Sequence, residues 1–75
     1  MNTKNYNSLQ EVMDLLENAK EIIEQVKGEE QEEFNNLSEE LQQNENSWSV
    51  VESFSKLNEI ILSLDNIIMK IELIL

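Results

Sequence analysis

The sequence predicts an all-α protein, an antiparallel helical hairpin that assembles as a dimeric four-helix bundle. Three observations lead there. Pro is absent and Gly occurs once in 75 residues, so little interrupts a helix. Two long stretches carry apolar residues at three- and four-residue spacing, the period of one helix face. Between them, residues 36–48 are rich in Asn, Ser and Gln, which bond their own backbone and favour caps and turns.

The chain reads as one domain: a disordered N-terminus over residues 1–7, a helix over about 8–35, a connection over about 36–48 and a second helix over about 49–75. Ser8 followed by Glu11 fits a capping box that opens the first helix. Leu9, Val12, Met13, Leu16, Ala19, Ile23 and Val26 then fall within one arc of about 140°. Phe34, Leu37 and Leu41 share that arc if the helix continues. Gly28 costs about 1 kcal/mol in a helix interior, yet the apolar phase is kept across it, which favours continuity to about Asn35. Within the connection, Ser38, Glu39, Glu40 and Leu41 suit a short helical turn.

Ser49 and Glu52 form a second capping box. After it, Val50, Phe54, Leu57, Ile61, Leu64, Ile68, Ile71 and Leu75 follow an unbroken alternation of four- and three-residue steps, a heptad seam. Ile60, Ile67 and Ile74 flank it, and Leu62, Met69 and Leu73 extend apolar surface further round. The first helix has too narrow a stripe to cover all of this. A chain this short buries only about 60% of its unfolded surface, so association is the simplest remedy and a twofold dimer its commonest form. The expected oligomer interface is Phe54, Leu57, Ile61, Leu64, Ile68, Ile71 and Leu75, with second helices central and first helices outside.

Composition excludes much else. With no Cys and no His there is no disulfide, thiol chemistry or zinc site. Five Lys and no Arg leave no cluster for a phosphate backbone, so direct nucleic-acid binding is not expected. The Glu29–Glu33 run lacks the loop that gives a calcium site its geometry. One copy encloses no cleft in which paired carboxylates could act as acid and base, so the chain reads as no enzyme, with no cofactor and no metal. The apolar tail, Ile60 to Leu75, is interrupted by Asp65, Lys70 and Glu72 and is too short to span a bilayer, and the polar start is no secretory signal. These features place the protein in the cytoplasm, away from membranes. Trp48 lies between the helices without the Gly of secreted WXG hairpins and is expected to cover the loop end of the bundle, the alternative being an exposed indole that anchors a partner.

Charge is the most informative feature. The net charge is −11, and residues 11–45 alone hold twelve acids against Lys20 and Lys27. Glu11, Asp14, Glu17, Glu21 and Glu24 recur at three- and four-residue steps, which puts neighbouring carboxylates about 5–6 Å apart on a helix. Phosphates along a nucleic-acid strand have comparable spacing, one charge per roughly 3.4 Å of axis. Like charges at this spacing repel, and lysines are scarce where the repulsion is densest. The expected partner-binding residues are therefore Glu17, Glu21, Glu24, Glu29, Glu30, Glu32, Glu33, Glu39 and Glu40, offered to a protein with a basic, nucleic-acid-binding surface. The competing expectation is a structural or adaptor oligomer whose C-terminal seam is the functional surface, with acids that only solvate. Neutralisation of a basic toxin would share the first mechanism.

The segment Glu29-Glu30-Gln31-Glu32-Glu33-Phe34-Asn35-Asn36-Leu37-Ser38-Glu39-Glu40-Leu41-Gln42 resembles a motif of short acidic proteins from bacteriophage and prophage genomes, roughly E-E-Q-E-A-F-D-N-L-P-E-S-L-Q between two helical stretches. The match covers about a fifth of the chain, with Ser38 in place of the usual Pro. The resemblance implies a phage or mobile-element origin, hence a role against or beside host machinery; taken with the acidic stripe, the expectation is a phage-encoded inhibitor of a host defence or DNA-processing protein in the host cytoplasm. The resemblance carries over no enzymatic activity.

Overall fold

The computed structural model describes residues 1–37, 39–43 and 45–75, and for residues 45–47 the backbone alone. The described residues form three helices: α1, Thr3–Asn35; α2, Glu39–Gln42; and α3, Glu45–Ile74. The two long helices pack along each other as a hairpin. The hairpin is a rod of 59 × 15 × 13 Å with a radius of gyration of 17.3 Å, against about 11 Å for a compact domain of this length.

α1 begins five residues before the expected start. Asn2 is extended (φ −78°, ψ 165°) and its Oδ1 accepts from the Asn5 N–H at 2.8 Å. Asn serves as an N-cap as well as Ser does, and nothing between residues 2 and 8 breaks a helix. The expected disordered N-terminus is thus helical from Thr3. Ser8 is interior, its hydroxyl donating to the Lys4 carbonyl at 3.0 Å. α3 likewise starts at Glu45, ahead of the expected Ser49, and the Ser53 hydroxyl donates to the Ser49 carbonyl at 2.9 Å.

The helix runs unbroken through Gly28, which has no positive φ, and a Cβ added there would meet nothing within 4 Å. Gly28→Ala should therefore stabilise the hairpin by about 1 kcal/mol, raising the melting temperature by roughly 4–8 °C for a domain of this size. A thermal melt followed by circular dichroism checks this. A lower melting temperature would mean that α1 needs a break at that point.

Residues of the 29–42 segment build the turn. Phe34 meets Phe54 edge to face with ring centroids 5.9 Å apart. The Gln42 side-chain amide donates to the Phe34 and Leu37 carbonyls, 3.1 Å each, which ties α2 to the end of α1; the Phe34 carbonyl also accepts from the Leu37 N–H at 3.1 Å. The short helix expected in the connection is present as α2; Ser38, included in that expectation, lies outside the described residues.

Packing follows one seam per helix. On α3, Val50, Phe54, Leu57, Ile61, Leu64, Ile68, Ile71 and Leu75 are all half-buried or buried, with Ile61 and Ile68 the least exposed at 8%. The matching row on α1 is Leu9, Met13, Leu16, Lys20, Ile23, Lys27 and Phe34, all half-buried and in the same alternation of steps, with Glu30 at the remaining step exposed. Val12 and Val26, expected within the buried arc, are exposed. A single partner helix covers a narrow seam, and the arc of α1 is wider than that.

Candidate protein interaction surface

The seam and its antiparallel partner fix two unlike broad faces. Lys20 reaches Asp65 at 2.6 Å and Lys27 donates to Asn58 Oδ1 at 3.0 Å, so seven residues down α1 correspond to seven up α3. Both links lie on one face. There a groove is lined by Glu24, Lys27, Gly28, Gln31, Asn58 and Ile61. The opposite face holds a groove lined by Val26, Glu30, Val50, Ser53, Leu57 and Ile60 among others. The first face is polar, since Glu17, Glu24, Asp65 and Glu72 fall along it by heptad position. The second is apolar: Val12, Leu15, Ile22 and Val26 of α1 and Ile60, Ile67 and Ile74 of α3 remain exposed on that side.

All nine acids expected to bind a partner are exposed. The structure brings them into two groups. Glu17, Glu21 and Glu24 belong to the stripe on the outer and polar sides of α1. Glu29, Glu30, Glu32 and Glu33 wrap around the last two turns of α1, and Glu39 and Glu40 open α2 beside that end. Within this set, among the described residues, only Glu24 has an ion pair, with Lys20 at 3.9 Å. Glu29 accepts from the Gln25 side chain at 3.4 Å. No group of three or more acids among the described residues is placed to hold a metal ion.

Phe54, Leu57, Ile61, Leu64, Ile68, Ile71 and Leu75, expected to join copies, lie in the seam against α1 of the same chain. Sequence reasoning missed Lys20 and Lys27 as seam residues and counted them only as charge. The signal was present, because both keep step with Leu9, Met13, Leu16 and Ile23. Gln42 was also missed, since nothing local marks a glutamine as the cap of a helix seven residues upstream. Trp48, expected to cover the loop end, is 71% exposed and lines a groove with Gln42, Ser49, Val51, Glu52 and Ser55.

Among the described residues, the Lys20 ammonium is shifted from its ordinary range. Its hydrogen bond to Asp65 holds the ammonium above the usual lysine range, partial desolvation opposes this, and the fields of Asp65, Glu24 and Glu17 reinforce it. Because the folded form binds this proton more tightly than the unfolded chain, the contribution is complete below the usual lysine range. It is lost as pH rises through the raised value. Urea midpoints of wild type and Lys20→Gln should therefore differ at neutral pH and converge only in strong alkali. Convergence near neutrality would assign the stabilisation elsewhere.

Comparison with protein-family models, with curated proteins and with solved structures finds no match. No helix among the described residues is long and apolar enough to cross a membrane.

Proposed function

We infer that this chain is a binding protein that acts by occlusion. An acidic helical rod, of the kind that phage genomes encode, covers the basic nucleic-acid-binding surface of a host defence or DNA-processing protein in the cytoplasm. A dimeric four-helix bundle presents the rod. No bond is made or broken, and the inhibitor competes for a site by standing where phosphates would stand. The supporting observation is the exposure of all nine carboxylates with a single lysine contact among them. Unpaired like charges on a helix repel by tenths of a kcal/mol per pair, and a cationic partner converts that repulsion into attraction.

The test is capture from host lysate at low salt, followed by elution with rising salt and, separately, with duplex DNA. A nucleic-acid-binding protein released by both supports occlusion. Retention that is flat across the salt series removes the electrostatic mechanism.

A structural or adaptor oligomer is the second reading, favoured by the apolar residues left exposed along the rod, Leu15, Ile22, Ile60 and Ile67 among them. Under it, acid-to-Gln changes leave activity untouched.

A further inference from the structure

We propose that the apolar broad face is where a second copy docks, with α1 of each chain lying antiparallel along α3 of the other. This rests on the dimeric reading above and assigns its surface and register.

The area argues for an occupant. The chain exposes 5919 Å², whereas a compact monomer of 8.8 kDa exposes about 4,800 Å². The surplus, on the order of 1,100 Å², matches the roughly 800 Å² per partner of a standard interface. Leu62, Met69 and Leu73 are exposed on the back of α3, but one broad face gathers exposed apolar side chains from both helices. Leu15, Ile22 and Val26 of α1 lie beside Ile60, Ile67 and Ile74 of α3, at 41–61% exposure. Such a contiguous apolar strip marks a contact surface.

Charge selects the occupant and its register. The α3 edge of the strip carries Lys56 and Lys70, and among the described residues Lys70 has no ion pair while Lys56 meets only Glu52 of its own helix, at 3.4 Å. The α1 edge carries Glu29, exposed and one heptad beyond Ile22. A twofold axis along the rod sets α1 over α3 of the second copy at unchanged heights. The levels fixed by Lys20–Asp65 and Lys27–Asn58 then bring Glu29 to Lys56 of the second copy. The alternative axis, across the rod, would set acidic edge on acidic edge and lysine edge on lysine edge. Complementary charge fixes register in such interfaces. The docked pair buries the strip, takes Glu29 and the Glu30 groove into the contact between copies, and leaves both polar faces, with Glu17 and Glu24, open to a partner.

The chain lacks Cys, so introduced thiols report register cleanly. Ile22 and Ser63 are exposed, on opposite edges of the strip, and by the same count fall at one level. Sedimentation equilibrium of the full chain should show a dimer. Under mild oxidation, Ile22→Cys mixed with Ser63→Cys should form a cross-linked pair, and neither variant alone should do so. Ile60→Glu should give monomers that keep their helicity, while Met69→Glu on the back of α3 should leave the dimer intact. Self-cross-linking of Ile22→Cys would establish the opposite axis and overturn the register. A dimer broken by Met69→Glu and spared by Ile60→Glu would move association to another face, overturning this inference and leaving the dimer standing. A monomer at every concentration would end both.

Discussion

Replacing Ile61 or Ile68 with Lys will unfold the hairpin. These are the two most buried of the described residues, each 8% exposed, in the middle of the α3 seam. A buried Ile reduced to Ala loses about 2–5 kcal/mol, and an unpaired ammonium at the same place adds a desolvation cost. Total stability for 75 residues is on the order of 4–11 kcal/mol at typical values per residue. A rod without a fully buried large side chain among its described residues belongs near the bottom of that range. Far-UV circular dichroism of either variant should show most helicity lost at room temperature. A cooperative, helical Ile61→Lys protein would mean that the α1–α3 seam does not hold the fold. Loss of activity in these variants therefore cannot distinguish the adaptor reading from occlusion, because both lose their scaffold. Ile60→Glu, one residue away and 44% exposed, is the variant that separates association from folding.

The contrast between Ile60 and Ile61 shows how much was legible in the sequence. The α3 seam was readable in full, because eight apolar residues in strict heptad step admit one buried line and no alternative phase. α1 was readable as a helix but not in its facing. Its apolar residues spread over an arc that includes both the true seam and the exposed flank, so Val12 and Val26 looked as buried as Met13 and Ile23. What decides between them is the position of α3, a tertiary fact. Lys20 and Lys27 sit in the seam because long stems can lie along apolar surface while the ammonium reaches an acceptor at its edge, here Asp65 and Asn58. Applying to α1 the heptad template that α3 satisfies would have placed them. The acids were legible as exposed because carboxylates off the seam have nowhere else to go. Helix starts were read too late in the chain, since Ser-x-x-Glu signatures at Ser8 and Ser49 fall inside helices that begin at Thr3 and Glu45.

Charge reversal at Glu32 and Glu33 should move stability and partner binding in opposite directions. Both side chains are exposed, and among the described residues neither is in an ion pair. Lys forms helix as readily as Glu, so Glu32→Lys with Glu33→Lys keeps α1 intact. The last turn of α1 carries no basic residue. Cations there oppose the negative end of the helix dipole, a gain of about 0.3–1 kcal/mol each at low salt. The double variant should therefore have an equal or slightly higher urea midpoint. Against a basic partner surface, two attractions become two repulsions. At about 0.5–1 kcal/mol per exposed contact, affinity at low salt should fall by about 30- to 1,000-fold, a gap that narrows as added salt screens both attraction and repulsion. The wild-type complex should weaken with added salt, whereas self-association should strengthen, since each copy brings a net charge of −11 that screening relieves. Unchanged affinity for the captured protein, measured beside a preserved midpoint, would assign these carboxylates to solvation alone and leave the adaptor reading in possession of the site.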